Sequence, residues 1–321
     1  MQTNMVSALN DALSIILQEN EDVVLLGEDI GKDGGVFRVT EGLQAKFGED
    51  RVIDTPLEEA GIIGSAIGMA MHGMHPIPEI QFAGFMYPAF NQIVSHAARY
   101  RSRTRSSVQI PMTVRTPVSG GVRALEHHSE NPEVLYAHIG GLIVVEPSGP
   151  YDAKGLLIKA SRMQDPVIFL EPTKLYRLFK EEVPAGAYEV PIGKANILRS
   201  GNDLTIVTYG TMVSLVKSVV ERKGTDAEII DLRTINPLDE NTIIESVKKT
   251  TRLMIVYEAP MSFGVGAEVA ARVAEKAIYD LSAPIIRVAS PSFPYPLPGY
   301  ENYYIPNENK ISSAIDKIMS Q

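Results

Sequence analysis

Short apolar runs alternate with helix-spaced apolar patterns along almost the whole chain, and this alternation restricts the fold more than any single motif. Residues 23–27, 52–55, 77–82, 108–115, 142–145 and 167–170 read as strands. Residues 4–20, with Met5, Leu9, Ala12, Leu13, Ile16 and Leu17 at helical spacing, read as a helix, as do 58–71, 88–100 and 151–162. A second alternating unit has strands at 204–208, 227–232, 253–257 and 285–288 and helices at 212–222, 239–249 and 267–279. Asp239, following Asn-Pro, is a helix-start signal, and residues 309–320 close the chain as an amphipathic helix. Strands and helices in this order predict an α/β fold with two doubly wound domains, each a largely parallel sheet with helices on both faces. The pattern loosens between Glu171 and Pro191, which predicts a boundary segment. The division adopted is a first domain over 1–180, a linker over 181–190 and a second domain over 191–321. Residues 291–298 are too proline-rich for regular structure, and no internal repeat has a fixed period.

A chain of 321 residues is long enough for two full cores. Its net charge of −9 opposes binding to nucleic acid or to an anionic membrane. With no cysteine, disulfides, thiolate metal sites and cysteine nucleophiles are excluded. The apolar runs fall well short of the ~20 residues that span a bilayer. Neither a basic secretory n-region nor an Arg-rich presequence is visible, which predicts a cytoplasmic chain or the mature form of an organellar matrix protein.

Parallel sheets bind ligands beyond the carboxyl ends of their strands, and the chemically interesting loops all follow apolar runs: 28–35, 55–59, 82–87 and 117–128. In 52–68 a strand and a proline-marked turn lead to a helix starting near Glu58, with Glu58 and Glu59 in its first turn, where the macrodipole favours negative charge. Gly61, Gly64 and Gly68 strip one face of that helix, at about 0.5–1 kcal/mol each relative to Ala. The pattern predicts a neighbour pressed close to this face; ordinary tight packing with solvated glutamates is the plainer reading. The glycine-rich loop 28–35 lacks phosphate-loop spacing and is acidic, so it is no phosphate cradle. His127 and His128, in a polar loop opened by Ser119-Gly-Gly, suit proton transfer or oxyanion stabilisation, or are a surface pair. Phe82, Phe85 and Tyr87 surround Gly84 and could stack a planar heterocycle, or simply fill core. Arg99, Arg101, Arg103 and Arg105 alternate at a helix end and read as an interface or a helix-terminus charge effect rather than a nucleic-acid patch. No zinc-protease, Cys/His or serine-hydrolase signature is present.

Taken together, Gly27-Glu-Asp-Ile-Gly31, Gly34-Gly-Val-Phe-Arg38, Asp54-Thr-Pro-Leu-Glu-Glu-Ala-Gly-Ile-Ile-Gly64, Glu79-Ile-Gln-Phe82, His128-Ser129, Tyr151-Asp-Ala-Lys-Gly155, Asp231-Leu-Arg-Thr234, Pro237-Leu-Asp239 and Glu258-Ala-Pro260 resemble the β subunits of the thiamin-diphosphate-dependent first component of 2-oxoacid dehydrogenase complexes. The likeness runs in order from near the N-terminus to about residue 305. It implies a thiamin-diphosphate pyrimidine-binding domain followed by a transketolase C-terminal-like domain. By resemblance, Glu59 hydrogen-bonds the cofactor's aminopyrimidine ring and favours the imino tautomer that deprotonates the thiazolium carbon, and the cofactor is the electron sink for decarboxylation. Phe85 matches the aromatic stacked on that ring, and Glu28 and Leu57 join the cofactor contacts. His128 matches the active-site histidine that orients substrate or assists acyl transfer to a lipoyl group, with His127 an open alternative.

Gly-Asp-Gly, which in thiamin enzymes precedes an Asn by some 25–30 residues and holds Mg²⁺ on the diphosphate, is absent from the chain. The resemblance therefore implies an α subunit that supplies it, in an α2β2 heterotetramer. It further implies docking of the dihydrolipoyl acyltransferase second component and its lipoyl domain, and K⁺ on main-chain oxygens near Met112 and Thr113. The implied substrate is pyruvate or a branched-chain 2-oxoacid. Alternatives are an acetoin dehydrogenase β subunit, the C-terminal half of a split transketolase-like enzyme, and a noncatalytic α/β scaffold.

Overall fold

The uninterrupted apolar run Val23–Gly27 forms a strand buried along its whole length, as a central parallel strand must be. It belongs to a computed structural model that describes residues Gln2 to Gln321. In chain order the strands are β1 Gln2–Thr3, β2 Val23–Gly27, β3 Val52–Asp54, β4 His75–Glu79, β5 Thr113–Val118, β6 Ile143–Val145, β7 Val167–Pro172, β8 Glu181–Glu182, β9 Asn196–Arg199, β10 Leu204–Thr208, β11 Ala227–Asp231, β12 Thr234–Asn236, β13 Leu253–Pro260 and β14 Ile286–Ser290. The longer helices are α1 Met5–Glu19, α2 Glu59–Met71, α3 Pro150–Ser161, α4 Met212–Lys223, α5 Glu240–Thr250, α6 Val265–Ala277 and α7 Glu308–Met319.

The first sheet has the order β12-β6-β7-β5-β4-β2-β3, parallel except for β12. Helix α1 is capped by the Asn4 side chain, which accepts from Ser7 N at 3.0 Å. Its buried stripe of Met5, Leu9, Leu13 and Leu17 packs in one core with Leu156 and Leu157 of α3, each such side chain contributing about 1.5–3 kcal/mol. On the opposite face, Ile62, Ile63, Ala66 and Ile67 of α2 enter a core shared with the second domain. The second sheet has the order β14-β13-β10-β11-β9, with β9 antiparallel. Helices α4 and α7 contribute to a separate core on one face, and α5 and α6 to the shared core on the other. This is the doubly wound α/β architecture expected, built twice.

Several local expectations are corrected. The helix expected over 88–100 is broken: after a 3-10 turn at Ala83–Met86 the chain makes a wider π-type turn over Gln92–Ala97 and a short helix Tyr100–Arg103. Ala98 N donates to Ile93 O five residues back, which widens the helix there. The strand expected over 108–115 starts only at Thr113 and runs to Val118, because Pro111 has no N–H for a ladder. The loosening placed at Glu171 is not yet a loop: Glu171 and Pro172 end β7, and Leu175, Tyr176, Val183 and Val190 are buried. Strand β8 pairs with β1 at the N-terminus. The neighbour expected on the glycine face of α2 does not come from this chain: among the described residues nothing lies within 4 Å of where a Cβ would sit on Gly64 or Gly68, and at Gly61 the neighbour is Glu58 of the same helix start, so the face is open to another subunit.

Neither β9 nor β12 is visible in the apolar pattern. Strand β12 lies in the second half of the sequence yet joins the first sheet, Thr234 opposite Val145 and Asn236 opposite Val144. Asn236 Nδ2 donates to Leu142 O at 2.7 Å across the same junction. Beneath it Glu133, Glu146 and Glu258 are buried around Tyr209, whose hydroxyl donates to Glu133 Oε1 at 2.6 Å. Burial first, then the neighbouring carboxyls, pushes Glu146 well above the usual carboxylate range, while burial opposed by the Tyr209 hydrogen bond pushes Glu133 up to about 7.

Candidate active site at the carboxyl edge of the first sheet

Strands β2, β3, β4 and β5 end on one edge, and the four loops singled out in the sequence all leave from it. Asp54, the last residue of β3, accepts from Gly31 N at 2.6 Å and Lys32 N at 3.1 Å and so ties the acidic loop 28–35 to the next strand. Gly34 and Gly35 bend that loop at φ +72° and +79°, a conformation that favours glycine.

The two glutamates at the start of α2 are not equivalent. Glu58 is the exposed N-cap and folds back over Gly61. Glu59 is the first helical residue and is buried, its carboxyl in the positive end of the macrodipole. Among the described residues no hydrogen bond or ion pair engages that carboxyl; its charged neighbour is Glu28. Glu28 is also buried, and burial first, then Glu59 and Asp29, push its carboxyl above the usual range. A buried carboxyl with no protein partner can accept or donate a hydrogen bond to a heterocycle placed against it. Leu57, 77% exposed, stands beside them as an uncovered apolar side chain.

The aromatic and histidine loops form one cluster. Phe85 meets Phe82 edge-on at 5.9 Å and His128 at 5.4 Å, and His128 in turn meets Phe82 at 4.2 Å. His127 lies 4.3 Å from His128 and 5.5 Å from Phe85. Burial, then the His127 charge, lowers the His128 pKa against a smaller opposing effect of Glu126, so its imidazole is held neutral near pH 7. Its Nδ1 is buried with no hydrogen-bond partner among the described residues. His127 faces Glu126 at 3.6 Å and is more exposed. Of the alternating arginines, Arg101 pairs with Asp165 at 2.5 Å, while Arg99, Arg103 and Arg105 are exposed.

Comparison with known proteins identifies the family. Residues 1–178 match the transketolase pyrimidine-binding domain model and residues 193–311 the transketolase C-terminal domain model. The chain is 50% identical to a pyruvate dehydrogenase E1 component subunit beta from Acholeplasma laidlawii, over 98% of this chain and 97% of the relative. It is 51% identical to the subunit of the same name from Staphylococcus epidermidis, over 97% and 96%. The chain belongs to the family of pyruvate dehydrogenase E1 component β subunits. A solved structure described as a split gene transketolase, inactive beta4 tetramer, shares the fold at TM-score 0.80 with 20% identity, over 100% of this chain and 99% of that one.

Three contributors to this edge have partners that the motifs do not reveal. Gly84 is required by contact: a Cβ there would lie 2.3 Å from the His127 carbonyl oxygen and 2.9 Å from its Cα. Below the edge, Arg115 of β5 bridges Glu171 of β7 at 2.7 and 3.0 Å and Glu79 of β4 at 2.7 Å, fully buried. Burial works against the Arg115 charge, but Glu171 and Glu79 outweigh it and raise its pKa, while burial pushes Glu79 up despite Arg115. Tyr176 donates to Glu171 at 2.6 Å and leads through Phe37 to Phe82, at 5.0 and 5.5 Å. The third contributor is Asp54, whose value is visible only once its backbone partners are known.

Among the described residues no group of three or more His, Asp or Glu side chains could hold a metal ion. At the expected potassium position Met112 O accepts from Val167 N at 2.9 Å, which leaves its second lone pair unused. Among the described residues no helix is long and apolar enough to cross a membrane.

Proposed function

We propose that the chain is the β subunit of a pyruvate dehydrogenase first component that holds the aminopyrimidine half of thiamin diphosphate and is active only with an α subunit. The observation that carries the reading is Glu59: a buried acid with a free carboxyl at a helix start, beside a second buried acid, in a chain about half identical to subunits of that name along its length. The residues present fit one half of the cofactor. Glu59 offers the carboxyl for a ring nitrogen, Phe85 a half-buried aromatic face, and Glu28 and Leu57 the rim. Mg²⁺ and the diphosphate are assigned to the α subunit, because Gly-Asp-Gly is absent here.

When bound, the cofactor supplies a nucleophilic carbon and an electron sink for the decarboxylation of a 2-oxoacid. The protein's part is to hold and move protons. Glu59 keeps a hydrogen bond at the pyrimidine ring, and Glu28, its carboxyl raised by burial and by Glu59, stores or returns a proton. His128, kept neutral by burial, orients the substrate carbonyl or accepts a proton during transfer of the acyl group to a lipoyl group. The aromatic cluster around it excludes water. The α2β2 assembly, the acyltransferase partner and the cytoplasm as compartment complete the reading.

The test is reconstitution with the α chain, comparing pyruvate with branched-chain 2-oxoacids. The lone chain is expected to be inactive with thiamin diphosphate and Mg²⁺, and Glu59→Gln to lower activity of the complex at least tenfold, about 1.4 kcal/mol of barrier. Full activity of the Glu59→Gln complex would instead mark the chain as a scaffold.

A further inference from the structure

The loop that carries the two histidines is not anchored by its own domain alone. It leaves β5 at Val118 and turns sharply, with Ser119, Gly121 and Arg123 at φ +71°, +86° and +59°. These turns direct successive backbone N–H groups outward, and a concavity of this kind binds an anion. Here the anions are two carboxylates of the second domain. Gly121 N and Arg123 N donate to one oxygen of Glu301, Oε1, at 2.9 and 3.2 Å, and Tyr295 donates to the same oxygen at 2.6 Å. Gly120 N donates to Glu258 Oε1 at 2.6 Å, and Asn131 Nδ2 reaches it at 3.4 Å from the far end of the loop. Thr211 donates to the other oxygen of Glu258, and Ser119 Oγ joins Asn131 Oδ1 at 2.7 Å.

Both carboxylates are buried, so these are charge-assisted bonds in a low dielectric, roughly twice as strong as neutral ones. The fit is also steric: a Cβ on Gly120 would overlap the Tyr295 hydroxyl. The root of the loop is thus gripped by the second domain and its tip rests on Gly84 and the Phe82–Phe85 cluster of the first.

We propose that Glu301, oriented by Tyr295 and seconded by Glu258, is a positioning residue for His127 and His128, acting through the backbone of residues 119–123. The second domain thereby sets where the imidazoles stand. This rests on the reading of the histidine loop as part of the substrate-facing site.

The experiment compares Glu301→Ala, Glu301→Gln and Tyr295→Phe with Glu308→Gln, a control on the exposed Arg222 pair. Amide hydrogen exchange over 119–131 is measured in the full chain, and kcat/KM for pyruvate and the affinity for thiamin diphosphate in the complex reconstituted with its α subunit. Glu301→Ala is expected to speed exchange of that loop at least tenfold and to lower kcat/KM about tenfold, about 1.4 kcal/mol. Cofactor affinity should stay within twofold, because Glu59 and Phe85 are untouched. Glu301→Gln keeps an acceptor oxygen and should recover most of both losses, whereas the control should move neither. If Glu301→Ala does not fold, Tyr295→Phe, which removes the hydroxyl that donates to Glu301 Oε1, decides by the same two readings. Unchanged loop exchange would overturn the clamp. Faster exchange with unaltered kcat/KM would overturn the positioning role; the site reading itself would then stand or fall with Glu59→Gln.

Discussion

Gly84→Ala tests the union of the aromatic and histidine loops most directly. The new Cβ would lie 2.3 Å from the His127 carbonyl oxygen, whereas an ordinary carbon–oxygen contact is about 3.3 Å. The obstructing atoms are backbone, so no side-chain rotation relieves the clash, and the histidine loop must recede by about 1 Å. Overpacking of this kind costs about 1–3 kcal/mol of stability, which a two-domain chain with continuous cores tolerates. The effect on rate is larger, since a displacement of about 1 Å in catalytic groups lowers turnover by about a hundredfold, equivalent to about 2.7 kcal/mol of barrier. The assay is kcat/KM of the reconstituted complex, set beside the thermal midpoint of the variant chain. A folded Gly84→Ala variant with kcat/KM within twofold of the parent would refute the reasoning, because the loop would then stand in the same place without the contact or would not bear on the reaction.

Two further outcomes follow from groups away from that cluster. Gly64→Ala meets nothing within 4 Å among the described residues, so it should stabilise the lone chain by about 0.5–1 kcal/mol. If a partner subunit covers this helix face, the same methyl group should weaken assembly in sedimentation experiments; a lone chain left no more stable would contradict the open-face description. Glu133 and Asp231 are both pushed up to about 7, Asp231 by burial and then Asp152. The folded state therefore holds protons that the unfolded state has lost, so this contribution is complete below the ordinary carboxylate pKa and disappears as pH rises through about 7. Thermal midpoints should fall from pH 5 to pH 8, and Glu133→Gln should flatten the decline; an equal slope in parent and variant would count against it.

Much of this architecture could be read beforehand because parallel strands buried on both faces leave unbroken apolar runs, as in Val23–Gly27 and Leu204–Thr208. The ligand edge was legible for the same reason, since each candidate loop had to follow such a run. The two glutamates could not be told apart by composition or spacing. The resemblance singled out Glu59, and the helix start supplies a physical difference by leaving Glu58 as exposed cap and burying Glu59. Strand β12 escaped notice because three residues held by a neighbour's backbone need no apolar signature. Arg115 escaped because a charged residue is at home in a strand only when partners from other strands, here Glu79 and Glu171, are already in place. Glu301 is farther still, some 180 residues from the backbone amides it holds, and no local pattern encodes such a pairing.

The strand lent by the second half of the sequence has a consequence for what counts as a separable part. Cut between the two matched domain regions, the first fragment would lose β12 and leave the hydrogen-bonding edge of β6 uncovered, an invitation to pair with another chain. It would also strip the apolar residues of α2 and the strands beneath it of neighbours such as Val207, Ile230 and Ile255. Two domains by ancestry are therefore a single unit in manufacture. The ribosome must pass β12 before the first sheet can close, and a transcript shortened ahead of it would yield a sticky intermediate rather than a smaller working piece.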